Sequence, residues 1–288
     1  MTGVFEIAGG SVAGRDHVAA GRNNQDAFAW YQDDQCAIAV VCDGCGESLQ
    51  SELGARLIAD MVVRSLRKCL REPVIRSGNL HMLENIVRSP PVLPEEYDLV
   101  LRLTRDDVRN ALHYVARAIG TKQFERFPMS FLATVVGVCM TRDGTVVFSC
   151  GDGVYAANGR IATIGPYPDN APPYLAYGML GEFPDYRSAV TIHAALGTDE
   201  VQSILLGTDG VSDLIAAADR TLPGKDEFVG PLAQFWTDDR YFRNPDMIRR
   251  RLTIINRDAA RVEDGALVRE PGLLRDDTTI VVIRRITK

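Results

Sequence analysis

An α+β fold built on antiparallel sheets is the class this sequence predicts, on three observations. Short β-rich runs recur at hairpin spacing, Asp-Gly and Asn-Gly dipeptides sit between several of them, and the helical patterns come in separate blocks. No internal repeat or low-complexity tract interrupts the arrangement.

Taken in order, Gln35–Cys42 (QCAIAVVC) is a short apolar run that reads as a strand ending at Asp43-Gly44. Ser51 to Leu70 follows as a helix, with Leu53, Leu57, Ile58, Met61, Val62 and Leu66 on one face. Between Arg71 and Pro128 the prolines Pro73, Pro90, Pro91 and Pro94 break the chain before a second helical stretch, Asp98 to Ile119, where Val108, Leu112, Val115 and Ile119 recur at helical spacing. This region, about 71–128, reads as a helical insertion in one domain spanning 1–288, because the motifs on either side of it belong to one site.

Beyond it, Ala133–Met140 and Thr145–Cys150 form a hairpin around Asp143-Gly144, and Val154–Ile164 adds another around Asn158-Gly159. A proline-rich loop (Pro166–Tyr174) leads to strands at SAVTIH (Ser188–His193) and SILLGTD (Ser203–Asp209). Arg249, Arg250 and Arg251 fall in an amphipathic helix that opens with Asn244 as N-cap and Pro245 in the first turn, and they read as its solvated face. Thr278–Ile286 (TTIVVIRRI) closes the chain as a strand.

The 288 residues, 46% hydrophobic and 24% charged, have the composition of a soluble globular protein. A net charge of −6 with dispersed basic residues offers no footprint for nucleic acid or an anionic membrane. No secretory signal opens the sequence, and no apolar run approaches the roughly 18 residues of a membrane span, so a cytoplasmic location is expected. The cysteines Cys36, Cys42, Cys45, Cys69, Cys139 and Cys150 are then reduced thiols. Cys42 and Cys45 have C-x-x-C spacing, but without a second pair or a histidine cluster they read as a strand core residue and a small loop residue.

Chemistry concentrates in aspartates at the ends of apolar strands. Asp43 follows AIAVVC, Asp152 follows VVFSCG, Asp209 follows ILLGT, and Asp276-Asp277 precede TTIVVI. A carboxylate at a buried strand end is costly to desolvate unless it is paired or coordinates a cation. Few basic residues lie near these positions, and oxygen-only ligand sets suit magnesium or manganese. Asp143-Gly144, lying mid-hairpin, is an ordinary turn.

The ordered segments NNQDAF (Asn23–Phe28), VVCDGCGES (Val40–Ser48), SFLATVVGV (Ser130–Val138), FSCGDGVYAANG (Phe148–Gly159), LLGTDGVSDLI (Leu205–Ile215) and LRDDTTIVVI (Leu274–Ile283) together resemble the PPM family, the protein phosphatase 2C-like enzymes. The opening GRDHVAAGRNNQDA (Gly14–Ala27) is most similar to a bacterial branch with a Gly-x-x-His segment and Gln-Asp in the first motif. The resemblance implies a four-layer αββα sandwich and metal-dependent hydrolysis of phosphoserine and phosphothreonine in proteins by a bimetal-activated water, with two or three Mn2+ or Mg2+ ions. It assigns Asp43 as the bridging ligand, the Gly44 carbonyl as a ligand of one metal, Asp209 and Asp276 as ligands of the other, and Asp26 as a further ligand, direct or through water. Asp152 and Asp213 match positions that hold a weaker third cation.

Where many relatives carry Glu, this chain has Gln25; Glu47 takes a usual glycine position, and Gly153 stands where Ser is frequent. The phosphate-gripping arginine before the first motif is displaced, leaving Arg15, His17 and Arg22 as candidates for its role, with His17 also able to protonate a leaving alkoxide. The implied partners are a phosphorylated protein and a cognate Ser/Thr kinase. Two alternatives stand beside the phosphoprotein phosphatase: a catalytically weak module that binds a phosphoprotein or kinase, and a phosphatase for a small phosphorylated metabolite.

Overall fold

The computed structural model describes residues 1–46, 50–71, 94–119, 127–179, 189–263 and 266–286. In chain order the elements are β1 (Phe5–Val12), α1 (Arg15–Ala19), β2 (Asp26–Gln32), β3 (Ala37–Asp43), α2 (Ser51–Arg71), α3 (Pro94–Ile119), β4 (Val135–Met140), β5 (Gly144–Cys150), β6 (Gly153–Ala157), β7 (Arg160–Ile164), β8 (Thr191–Gly197) and β9 (Ser203–Gly207). The remainder are α4 (Val211–Ala216), α5 (Gln234–Thr237), α6 (Arg240–Arg243), α7 (Met247–Ile255), β10 (Ala259–Glu263), β11 (Ala266–Glu270) and β12 (Thr278–Arg285).

Among the described residues two five-stranded antiparallel sheets form, ordered β1-β12-β9-β6-β7 and β2-β3-β4-β5-β8, with β10-β11 as a separate ribbon. Strand alternation divides the apolar residues among three cores. On β3, Ile38, Val40 and Cys42 face α2 and α3, while Ala37, Ala39 and Val41 face the other sheet. On β12, Ile280 and Val282 face the helices α4 to α7, while Val281 and Ile283 face inward. Helices, sheet, sheet and helices therefore stack in the expected αββα order. Asn158 and Gly159, both at positive φ (49° and 81°), make the tight turn between β6 and β7 that the dipeptide predicts.

The α2 core face is rotated from the leucine stripe that spacing predicts. Ala55, Ile58, Ala59, Val62 and Leu66 are buried, whereas Leu53 is 40% exposed. Small residues set this rotation, because they let the helix approach closely. A Cβ on Gly54 would lie 1.9 Å from the Ser130 carbonyl oxygen. Gly54→Ala is accordingly expected to cost about 2–3 kcal/mol of stability, read as a melting point lower by roughly 5–10 °C.

Within the stretch read as an insertion, α3 places Tyr97, Val100, Leu101, Val108, Leu112 and Ala116 in the same core as α2. Positions 72–93 and 120–126 lie outside the described residues, as does Ser188 of the SAVTIH run. Strand β8 begins later, at Thr191. In the Pro166–Tyr174 loop and the turn after it, Tyr174, Leu175, Ala176 and Tyr177 are anchored in the α2–α3 core.

Helix α7 corrects two expectations. It opens at Met247 with Asp246 in the capping position, because Asn244 forms a local turn in which its Oδ1 accepts the Asp246 N–H at 3.0 Å. Its arginines are not one solvated face. Arg249 and Arg250 pair with Asp246 in solvent, whereas Arg251 is 8% exposed, pairs with Glu227 and donates to the carbonyls of Phe228 and Val229.

Candidate metal centre

The inter-sheet core turns polar at one end, and strand alternation determines which residues reach it. Continuing the inward positions of β3, β9 and β12 past Val41, Leu206 and Val281 leads to Asp43, Thr208 and Thr279. On β2, Asp26 lies directly opposite Asp43 in the register. Two carboxylates facing each other across an antiparallel pair repel unless something of opposite charge lies between them.

Asp26 is buried at 4% exposure, and burial drives its pKa well upward, with further contributions from the charges of Asp277 and Asp209. Burial also raises Asp43 strongly, followed by repulsion from Asp26, Asp209, Asp276 and Asp152. For Asp209 the same causes, burial first and then Asp276 and Asp152, push the pKa up to about 6. Burial raises Asp152; Asp276, although its side chain is half exposed, is raised by partial desolvation and by the charges of Asp277 and Asp213, and Asp213 adds its charge to Asp209 as well. The structure thus links Asp26, Asp43, Asp152, Asp209, Asp213 and Asp276 in one electrostatic network centred on Asp43 and Asp209. Among the described residues, no lysine or arginine is a principal influence on any of the five with raised pKa values.

Backbone contacts fix the turn at Asp43-Gly44. Thr134 N–H donates to the Asp43 carbonyl at 2.8 Å, and Gly44 N–H to the Gln25 carbonyl at 3.2 Å. Gly44 is required for space: an added Cβ would lie 2.8 Å from the Gln25 carbonyl oxygen and from Ser51. Glu47, in the loop that follows, lies outside the described residues.

Asp277 has a different function from its neighbour, one the sequence did not disclose. Its carboxylate, 2% exposed, accepts the Gly14 N–H on Oδ1 at 2.7 Å and the Gln25 N–H on Oδ2 at 2.5 Å. Asp277 therefore fastens the excursion between β1 and β2 to β12. Its partners are supplied by the chain, while the side chain of Asp276 is 53% exposed and, among the described residues, accepts a hydrogen bond only from its neighbour's N–H, at 2.8 Å.

On that excursion, His17 brings Nδ1 to 2.9 Å from Asp277 Oδ2 and Nε2 to 3.8 Å from Asp276 Oδ1. The Nδ1 approach lacks hydrogen-bond alignment, so among the described residues this buried nitrogen has no directed partner. His17, Asp276 and Asp277 place potential ligand atoms within 4.8 Å of one another. Arg22 is exposed and donates from Nη1 to the Gly46 carbonyl at 2.9 Å, over the loop that follows Gly44. Arg15 instead donates to the Gly272 carbonyl at 2.8 Å and to Asp16, so its guanidinium ties α1 to the base of the β10–β11 ribbon.

The orphaned atoms test whether a cation suits this site. Among the described residues, six buried side-chain polar atoms lack a hydrogen-bond partner, and four belong here: His17 Nδ1, Gln25 Oε1, Asp26 Oδ1 and, behind Gly44, Ser51 Oγ. Oxygen-rich, mutually repelling and short of donors, the donor set fits a hard divalent cation.

All six cysteines are free thiols. No helix among the described residues is long and apolar enough to cross a membrane.

No curated protein sequence matches the chain. Among solved structures, a bacterial serine phosphatase bearing an arginine-to-alanine mutation aligns over 98% of this chain and 99% of its own, at 14% identity and a TM-score of 0.54. The serine/threonine phosphatase Stp1 from Staphylococcus aureus aligns over 99% and 96%, at 14% identity and a TM-score of 0.52. At such identity these likenesses speak for the fold. The sequence pattern of protein phosphatase 2C matches residues 13–243, a span that carries β2, β3, β9 and their aspartates, and the chain belongs to that family.

Proposed function

We propose that the protein hydrolyses phosphoserine and phosphothreonine in phosphorylated proteins, in the cytoplasm, opposing a Ser/Thr kinase. The observation that carries this reading is the convergence of six carboxylates from both sheets with little cationic compensation. Asp26, Asp43, the Gly44 carbonyl, Asp209 and Asp276 would hold two ions of Mn2+ or Mg2+, with Asp152 and Asp213 available to a third. Bound there, such cations offset the charge of a phosphate dianion and lower the pKa of an attacking water.

The chain's own groups supply the rest. Asp43 lies at the end of the inter-sheet gap, within reach of the charge of Asp26 in its own sheet and of Asp209 and Asp276 from the other, which suits it to bridge. Next to Asp276, the His17 ring is placed to hold a phosphate oxygen or to protonate the departing serine or threonine alkoxide. Arg22 is the better-placed guanidinium for the phosphate, because Arg15 is engaged by Gly272 and Asp16.

Hydrolysis of a phosphothreonine peptide with added Mn2+ tests the proposal. Wild type is expected to turn over only with the metal, and Asp209→Asn to lose about 100-fold or more of kcat/KM, equivalent to about 3 kcal/mol of transition-state stabilisation. Asp143→Asn, in the turn between β4 and β5, is expected to match wild type. No turnover at millimolar metal, with phosphopeptide binding intact, would instead identify a non-catalytic binding module.

A further inference from the structure

We propose that Thr208 is a positioning residue for Asp26, clamping the two sheets at the mouth of the site and fixing which carboxylate oxygen is left for the cation. The proposal rests on Asp26 being a ligand, as given above. Thr208 is 1% exposed and follows the last residue of β9. Its Oγ1 donates to Asp26 Oδ2 at 2.7 Å, a contact between one sheet and the other. The same oxygen accepts the Thr279 N–H at 3.1 Å, so the hydroxyl hydrogen is left to point at the carboxylate.

The contact is one link of a closed circuit. Thr279 Oγ1 donates to Ser11 Oγ at 2.6 Å, Asn24 Nδ2 donates to the same Ser11 Oγ at 2.7 Å, and Asn24 Oδ1 accepts the Asp26 N–H at 3.0 Å. Thr208, Thr279 and Ser11 stand on or at the ends of β9, β12 and β1, while Asp26 opens β2 of the opposite sheet. Asp26 is thereby held at its backbone and, by Thr208, at Oδ2, with the Thr279 side chain also favouring its ionised form, and among the described residues nothing hydrogen-bonds the buried Oδ1. Because Asp26 and Asp43 come from one sheet and Asp209 and Asp276 from the ends of strands in the other, this circuit also sets the spacing between the two halves of the ligand set.

The test compares Thr208→Val, which keeps the shape and removes the hydroxyl, with Thr208→Ser, which keeps the hydroxyl. Mn2+ affinity is read by calorimetric titration and by the metal-induced rise in melting temperature, beside phosphopeptide hydrolysis. T208V is expected to bind Mn2+ about 10–100-fold more weakly, and T208S to return within a few-fold of wild type. Turnover by T208V should recover at saturating metal, with the KM for phosphopeptide unchanged. As a control, Thr145→Val removes a buried hydroxyl pair with Thr198 (2.7 Å) at the far end of β5, and is expected to lower stability without changing Mn2+ affinity. If T208V does not fold, Ser11→Ala opens the same circuit one step further back and is expected to weaken Mn2+ binding by a smaller factor. Wild-type Mn2+ affinity in the folded T208V, or in S11A when T208V is unfolded, overturns the clamp alone. A wild-type protein that binds no Mn2+ overturns both the clamp and the reading of Asp26 as a ligand.

Discussion

Asp43→Asn is expected to lower kcat/KM by about a thousand-fold or more, since several kcal/mol of charge stabilisation depend on the cations this carboxylate would bridge, and each 1.4 kcal/mol or so is a factor of ten. The same substitution is expected to stabilise the metal-free protein. Asp43 sits opposite Asp26 in the register and within reach of the charges of Asp209, Asp276 and Asp152, and its burial and their repulsion both drive its pKa up. Asparagine keeps the shape and removes one buried charge from that cluster, so the apo melting temperature should rise by a few degrees. Activity assays and thermal melts in a chelator check the two halves separately. A variant that loses activity and also melts lower in chelator would show Asp43 to be a structural carboxylate. Asp33 illustrates that other class: N–H donors from Cys36 and Gln35, with Arg71, outweigh its burial and hold its pKa well below the ordinary range.

The strand ends carried most of what the sequence could disclose. Asp43 and Asp209 stood out because an ionisable residue after an apolar run conflicts with burial, a conflict visible in one dimension. Asp276 and Asp277 could not be told apart that way, since both precede the same strand. Only the fold shows that Asp277 is saturated by the N–H groups of Gly14 and Gln25, more than 250 positions away in sequence. Thr208 and Thr279 gave no signal of their own, because a threonine at a strand end is unremarkable. Strand alternation could have flagged them, as both continue the inward parity of Leu206 and Val281. The β10–β11 ribbon was missed despite an Asp-Gly pair between its strands, because its short, charged strands show weak apolar alternation. The α2 face was misjudged because leucines mark hydrophobicity, whereas Gly54 and Ala55 mark where a neighbour comes closest. Arg251 was missed for a related reason: in a run of three arginines only the fold shows which one finds Glu227 and two carbonyls beneath the helix.

The metal-free protein should become less stable as pH rises from about 4 to about 6, and a divalent cation should reverse that loss. For Asp209 the folded-state pKa is about 6 against an ordinary 3.8, so between those values the folded protein holds a proton that the unfolded chain has released. Stability changes with pH in proportion to protons bound in the unfolded state minus those bound in the folded state. That difference is negative here, so Asp209 lowers stability across this window, by about 3 kcal/mol at most. Asp26 and Asp43 are displaced in the same direction, chiefly by burial, and add to the decline. Cation binding favours the ionised carboxylates and only the folded state assembles them, so a cation at about 100 times its dissociation constant adds roughly 2.7 kcal/mol, or some 5–10 °C in melting temperature. Thermal melts across a pH series in chelator and in Mn2+ measure both effects. The stabilisation by Mn2+ should be largest near neutral pH and fade toward pH 4, where protons compete for the same oxygens. A flat apo profile between about pH 4 and about pH 6 would mean that the aspartates are already relieved by groups of the protein itself. A cation effect that did not weaken with acid would place the bound metal on ligands other than these carboxylates.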